Sequence, residues 1–241
     1  MAELKLGLIG AGRIGRVHAQ NIASRVDGAA LVAVTDVAAE AAKSLAEVHS
    51  AKVFEEPENL LSADLDAVLI CSSSDTHAQF ISLAAKAGKH VFCEKPIALE
   101  LSKIDAALAD VEAAGVKLQV GFNRRFDANF AAIREAVTRG DIGEVHMVRV
   151  TSRDPEPPPL SYVKISGGLF LDMTIHDFDM ARFLADSEVE EVYATGAALI
   201  DPAVAEVGDI DSAVISLRFV SGALGSIDAL IAQNERMLGG V

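Results

Sequence analysis

The chain has 241 residues, 51% of them hydrophobic and 23% charged, and its 35 acidic and 21 basic side chains leave a formal net charge of −14. That length suits two domains, and the hydrophobic share supports a packed core and excludes a disordered chain. The acidity argues against nucleic-acid and anionic-membrane partners, because phosphate contacts need clustered Lys and Arg. No apolar stretch is long enough to span a bilayer, and the N-terminus enters an apolar strand without a basic region and cleavage site. A cytoplasmic location is the expectation. Tryptophan is absent, so the core must come mainly from Ala, Val, Leu and Ile, as in proteins with buried parallel strands.

The N-terminal half alternates short apolar runs with longer amphipathic ones. Strands are expected at Leu4–Gly10, Ala29–Asp36, Ala67–Cys71, His90–Cys93 and Val116–Gly121, with a weaker one at Ala51–Phe54. Helices are expected between them at Arg13–Ser24, Ala38–Val48, Thr76–Ala87 and Glu100–Ala114. This alternation predicts a parallel sheet with helices on both faces. Cys71 and Cys93 end two of the strands with no zinc-ligand spacing, so they are expected to be core thiols, and no metal site is expected.

After Gly121 the pattern changes. A helix is expected over Phe126–Gly140, a strand over Glu144–Ser152, and a proline-stiffened loop over Asp154–Pro159. A single helix over Leu169–Leu184, a strand over Val189–Ala197 and two strands within Ser212–Leu230 turning at Ser221-Gly222 complete the chain. Strands joined by hairpins imply a second, largely antiparallel sheet. The boundary is placed at Gly121, giving domains 1–121 and 122–241.

The first strand runs into Gly10-Ala-Gly12-Arg13-Ile14-Gly15 and then into a helix. In such a motif the first glycine makes a tight turn, the second lets a pyrophosphate approach and the third lets helix and strand pack closely. The phosphates then rest on free N–H groups at the helix N-terminus. A second strand ends in Asp36 at about the twenty-residue interval at which an acid meets the adenosine ribose. The reading is a Rossmann domain binding NAD in preference to NADP, with Gly10, Gly12, Arg13, Ile14, Gly15 and Asp36 as cofactor residues. His18, in the following helix, is read as packing or capping.

Ligands of open α/β sheets lie outside the carboxyl ends of the strands. There the fifth strand ends in Cys93-Glu94-Lys95-Pro96, which puts Glu94 and Lys95 where a nicotinamide would lie. On a continuous helix at about 100° per residue, Asp172, His176 and Asp179 fall within roughly 60° of one another. Such a polar wedge among apolar neighbours suits a histidine base tuned by a carboxylate.

These segments, together with Cys71-Ser-Ser-Ser-Asp-Thr-His77, Gly121-Phe-Asn-Arg-Arg-Phe-Asp127, Thr151-Ser-Arg-Asp-Pro155 and Gly167-Gly-Leu-Phe-Leu-Asp-Met-Thr-Ile-His-Asp-Phe-Asp-Met-Ala-Arg-Phe183, resemble the family of glucose–fructose oxidoreductase and inositol dehydrogenase. The resemblance runs to about Ser226. It implies an α/β protein, a Rossmann domain followed by an α+β substrate and oligomerisation domain. It also implies NAD-dependent oxidation of a cyclic polyol, myo-inositol to the 2-keto-inositol. Lys95, Asp172 and His176 would then be the catalytic set, Arg125, Asp154 and Asp179 would bind hydroxyls, and the loop with Ser72 and Ser73 would line the cofactor, as His77 could. The partners implied are a small cyclitol or sugar and further copies of the chain, packed through the second-domain sheet. Family members continue farther, and Ile227–Arg236 departs from their pattern and lacks a pocket tyrosine. A second sheet incomplete relative to the family is therefore expected. Two alternatives stay open, a related sugar dehydrogenase such as one for glucose, and an NAD-binding chain without turnover.

Overall fold

The computed structural model describes residues 3–154 and 158–231. Its contacts divide the chain into two compact units, Met1–Gly121 and Phe122–Val241.

The first unit is built from β1 (Leu4–Ile9), α1 (Arg13–Arg25), β2 (Ala29–Thr35), α2 (Ala39–His49), β3 (Lys52–Val53), α3 (Pro57–Leu61), β4 (Ala67–Ile70), α4 (His77–Lys86), β5 (His90–Cys93), α5 (Leu101–Ala114) and β6 (Leu118–Val120). Its six strands pair in parallel in the order β3-β2-β1-β4-β5-β6. Alternate residues of each strand enter different cores. Ile9, Val68, Ile70 and Val91 pack with Ile81 in one, while Leu8, Val34 and Leu69 pack with Ile22 and Leu45 in the other. Strand order reverses between β1 and β4, and an open α/β sheet is cleft at such a switch point. Both cysteines are buried, and burial pushes the Cys71 thiol up to about 12, so neither reads as a nucleophile. The sequence reading did not anticipate α3, a short helix with proline in its first turn.

In the second unit α6 (Ala128–Arg139) starts two residues later than expected. Asp127 caps it, its Oδ1 accepting from Asn129 N at 2.9 Å and Phe130 N at 3.4 Å, and the chain before it makes a 3₁₀ turn at Asn123–Phe126. There follow β7 (Met147–Asp154), α7 (Leu160–Ser166), α8 (Ile175–Ala185), β8 (Val189–Ala197), α9 (Pro202–Glu206), β9 (Ser212–Phe219) and β10 (Leu224–Ile231). Of the expected proline loop, Pro155, Glu156 and Pro157 lie outside the described residues, as does the stretch from Ala232 onward. The sheet order is β7-β10-β9-β8, antiparallel except for the parallel pair β7–β10. The sheet is thus mixed, because β7 is followed by helices rather than a hairpin and joins the far edge. The small residues Ala181 and Ala185 let α8 approach Ile215, Leu217, Phe219 and Ile227 on its inner face. Among the described residues no helix is long and apolar enough to cross a membrane.

The expected single helix over Leu169–Leu184 is two pieces. Leu169–Met173 forms a π turn and α8 begins only at Ile175. Thr174 makes the break, since its N–H donates to Leu169 O at 2.9 Å and its hydroxyl to Leu169 O at 3.2 Å and Phe170 O at 3.0 Å. A π turn adds a residue to the turn, so a 100° wheel does not carry across it.

Two ion pairs fasten α8 to the 3₁₀ turn. Arg124 meets the fully buried Asp177, and Arg125 grips Asp179 with three bonds, Nε to Oδ2 at 2.8 Å and to Oδ1 at 3.1 Å, and Nη2 to Oδ1 at 2.6 Å. Burial pushes the Asp177 carboxyl up, and Arg124 and Ser152 oppose that shift. A carboxyl with a raised folded pKa favours folding at low pH and loses that contribution as pH rises through the folded value. Arg124→Ala should therefore cost about 3–5 kcal/mol at pH 7, as for other buried charges stripped of a partner. The deficit should narrow toward pH 5 as Asp177 takes up a proton. Urea unfolding at both pH values measures this, and equal midpoints for variant and parent at pH 7 would contradict it.

Candidate functional site

The glycine loop between β1 and α1 has the shape that its sequence demands. Gly10 sits at φ +103°, and a Cβ there would lie 2.5 Å from the Cys71 carbonyl. A Cβ on Gly15 would overlap the Gly10 carbonyl oxygen. Gly12 differs, because a Cβ there would meet nothing within 4 Å. It borders open space, and as the N-cap of α1 it offers no side chain to the first-turn N–H groups. An anion can settle there without displacing a protein group.

Asp36 closes the other side of this loop. Its Oδ2 accepts from Ala11 N at 2.6 Å and its Oδ1 from Ala38 N at 2.7 Å. Gly10, Gly12, Asp36, Val37, Ser72 and Ser73 line a cavity of about 290 Å³ at the switch point. The loop carrying the two serines is braced by Thr76, whose hydroxyl donates to Ser73 O at 2.7 Å and lies 2.7 Å from Ser72 Oγ. Taken together, an open glycine, free helix N–H groups and a carboxylate beside an apolar cleft fit the pyrophosphate and ribose of a dinucleotide.

Lys95 and Glu94 follow β5 in this unit. The Glu94 carboxylate meets the imidazole of His18, Oε1 to Nε2 at 2.7 Å, and the His18 ring stands edge-on to Phe92 with centroids 4.9 Å apart. His18 thus packs, as its sequence context suggested, and also engages Glu94. His77 is 1% exposed, with Nδ1 2.7 Å from Pro96 O and Nε2 3.0 Å from Ser72 O. Its ring is occupied by backbone carbonyls, not turned to the cavity as the sequence reading allowed.

In the second unit Asp172 falls in the π turn and His176 in the first turn of α8, where its ring stands edge-on to Phe122 at 6.3 Å. Asp172 and Asp154 line one cavity of about 130 Å³ together with Ser166, Gly168 and Asp209. Tyr162 on α7 donates its hydroxyl to Asp172 Oδ1 at 3.1 Å. Asp209 accepts from Leu169 N at 3.1 and 3.2 Å, where the π turn begins. It lies against Gly168, a residue at φ +72° whose missing Cβ leaves the room. The sequence reading missed Tyr162 and Asp209, because neither is near Asp172 in the chain or part of a recognisable spacing. Arg125 and Asp179, both expected to meet hydroxyls, are bound to each other. Bonding to Asp179 raises the Arg125 pKa further, so the guanidinium stays charged.

Residues 4–122 match an oxidoreductase family with an NAD-binding Rossmann fold, and residues 130–237 match the GFO/IDH/MocA C-terminal domain. The chain is 50% identical over 227 residues to a myo-inositol 2-dehydrogenase of Thermotoga maritima, a match covering 93% of this chain and 68% of that protein. It is 49% identical to an inositol 2-dehydrogenase of Rhizobium meliloti, covering 97% of this chain and 69% of that protein. A solved scyllo-inositol dehydrogenase of Lactobacillus casei, with bound NAD(H) and scyllo-inositol, superposes with a TM-score of 0.88 at 34% identity, over 96% of this chain and 71% of that one. The chain therefore spans about two thirds of the length of these relatives. With an NAD-binding Rossmann unit followed by the companion C-terminal domain, the chain belongs to the GFO/IDH/MocA family of oxidoreductases.

Proposed function

We propose that this chain is an NAD-dependent dehydrogenase that oxidises a secondary hydroxyl of a cyclic polyol, with myo-inositol as substrate and the 2-keto-inositol as product. The observation that carries the reading is 50% identity to a myo-inositol 2-dehydrogenase across 93% of the chain. The unit 1–121 is read as the cofactor domain and the unit 122–241 as the substrate and assembly domain. The dinucleotide would be held by Gly10, Gly12, Arg13, Ile14 and Gly15 at the phosphates, Asp36 at the ribose, and Ser72, Ser73 and Glu94 farther along.

NAD, when bound, takes up the hydride released from the carbinol carbon, so the protein's part is positioning and proton transfer. In this reading His176 accepts the hydroxyl proton, while Lys95 donates a hydrogen bond to the same oxygen and stabilises charge building on it. Asp172 orients the pair, itself held by the Tyr162 hydroxyl. Arg125, Asp154 and Asp179 supply donors and acceptors for the remaining hydroxyls. Placement of Asp172 and Asp154 on one cavity supports this assignment. Self-association through the second sheet is part of the reading, supported by Met147, Tyr193, Val214 and Leu224, which lie exposed on its outer face.

The test is NADH formation across a panel of cyclitols and sugars. Turnover with myo-inositol at NAD saturation is expected, whereas NAD binding with no reduction by any cyclitol would refute the proposal. Lys95→Ala and His176→Ala should each lower kcat by at least about a hundredfold, the scale of a general acid–base group. NAD affinity should change little in the His176 variant, and a near-normal kcat in either variant removes that residue from the mechanism.

Cofactor choice should follow Asp36, because a carboxylate accepts ribose hydroxyls and repels a 2′-phosphate. Calorimetric titration should show tighter binding of NAD than NADP, with the gap narrowed in Asp36→Ser. Tighter NADP binding by the unmodified protein would show that another group governs the choice.

A further inference from the structure

Asp172 stands in a π turn whose two ends are both made by Leu169. The Leu169 carbonyl closes the turn, accepting from Thr174 N at 2.9 Å and from the Thr174 hydroxyl at 3.2 Å. The Leu169 N–H opens it, and a donor at the start of a helical turn has no partner within the turn itself. Ordinarily the preceding residue turns a side-chain oxygen onto such N–H groups. Here that residue is Gly168, which has no side chain to offer.

Asp209 supplies the missing acceptor from 40 residues farther along the chain. Its Oδ2 lies 3.1 Å and its Oδ1 3.2 Å from Leu169 N. The carboxylate fits only because position 168 is glycine. Gly168 stands at φ +72°, and a Cβ there would lie 2.6 Å from Asp209 Cγ and overlap both oxygens. The carboxylate is itself held. Asp209 N donates to Val204 O in α9 at 3.2 Å, and the next residue, Ile210, packs on the cluster of Leu169, Met173, Ala213 and Ala229. Leu169 is fully buried, so an N–H stripped of this partner would be left unsatisfied rather than turned to water.

We infer that Asp209 is a positioning residue, a distant cap that fixes the π turn and, through Leu169, the place of Asp172. It acts through the backbone and touches no reacting atom. The bond needs an oxygen acceptor and no particular charge, so an amide oxygen at the same reach can replace it. The inference rests on the reading of Asp172 as the residue that orients His176 and Lys95. Losing the cap should let Asp172 shift and slow the chemical step, while cofactor binding by the first unit stays as it is.

The experiment has two parts that do not share a failure. First, amide hydrogen exchange of the intact protein should show a protected Leu169 N–H, with protection lowered about tenfold in Asp209→Ala. An unprotected Leu169 N–H in the unmodified protein would overturn the inference. Second, kcat at saturating NAD and myo-inositol should fall about tenfold in Asp209→Ala, the scale of one buried donor losing its acceptor. NAD affinity and KM for the polyol should change little. Asp209→Asn keeps an oxygen at the same reach and should recover most of kcat, whereas Asp209→Glu, one methylene too long for the space beside Gly168, should not. Parental kcat in a folded Asp209→Ala protein would overturn the inference, as would Asp209→Asn as slow as Asp209→Ala, or a loss confined to thermal stability. Should Asp209→Ala fail to fold, the contrast between Asp209→Asn and Asp209→Glu decides, together with exchange at Leu169. Should the unmodified protein oxidise no polyol, the proposed function falls, while exchange at Leu169 still judges the cap.

Discussion

The first unit is organised around a contact that tolerates no side chain. A Cβ on Gly15 would collide with the carbonyl of Gly10, so α1 can lie on the end of β1 only because that atom is missing. The approach brings the first turn of α1 to the switch point of the sheet, with its N-cap Gly12 bordering open space. Asp36 completes the turn from the neighbouring strand by binding Ala11 N. The residue that sets cofactor preference in our reading therefore also shapes the loop that receives the phosphates. The cavity, the serine loop and the lysine loop all inherit their places from this end of the sheet, because every parallel strand delivers its following loop to the same side.

The second unit relies on irregularity instead. Two glycines at positive φ, Gly167 and Gly168, turn the chain into a π turn that Thr174 closes and Asp209 caps. That irregular segment carries Asp172, and π turns are found disproportionately at functional sites. Regular helix resumes one residue before His176, and buried Asp177 and Asp179 tie it to Arg124 and Arg125. Buried pairs of this kind contribute little net stability but penalise any other register. Such a penalty suits a helix whose first turn carries His176, the base of our proposal.

Much of this was legible in the amino-acid sequence. Alternating apolar runs gave the parallel sheet, since strands buried on both faces leave a compositional trace that no other arrangement of these residues explains as well. The spacing of Gly10, Gly12, Gly15 and Asp36 announced the cofactor end, because each requirement there is local, a turn, a close approach or a strand-end acid. Lys95 was visible for the same reason, as a residue that follows a predicted strand. Asp172 and His176 were singled out by a helical wheel that does not describe them, since one hydroxyl, that of Thr174, diverts the helix between them.

What the sequence by itself determined is the set of short-range features, those whose causes lie within one turn, one strand or one motif. The tertiary structure alone decided the parallel pairing of β7 with β10, the carboxylate of Asp209 on Leu169 N, the hydroxyl of Tyr162 on Asp172 and the two carbonyls around His77. Each of these joins groups separated along the chain by residues that carry no pattern. Such contacts are set by how close two backbones come once the cores are packed, and that distance is written in no residue taken alone.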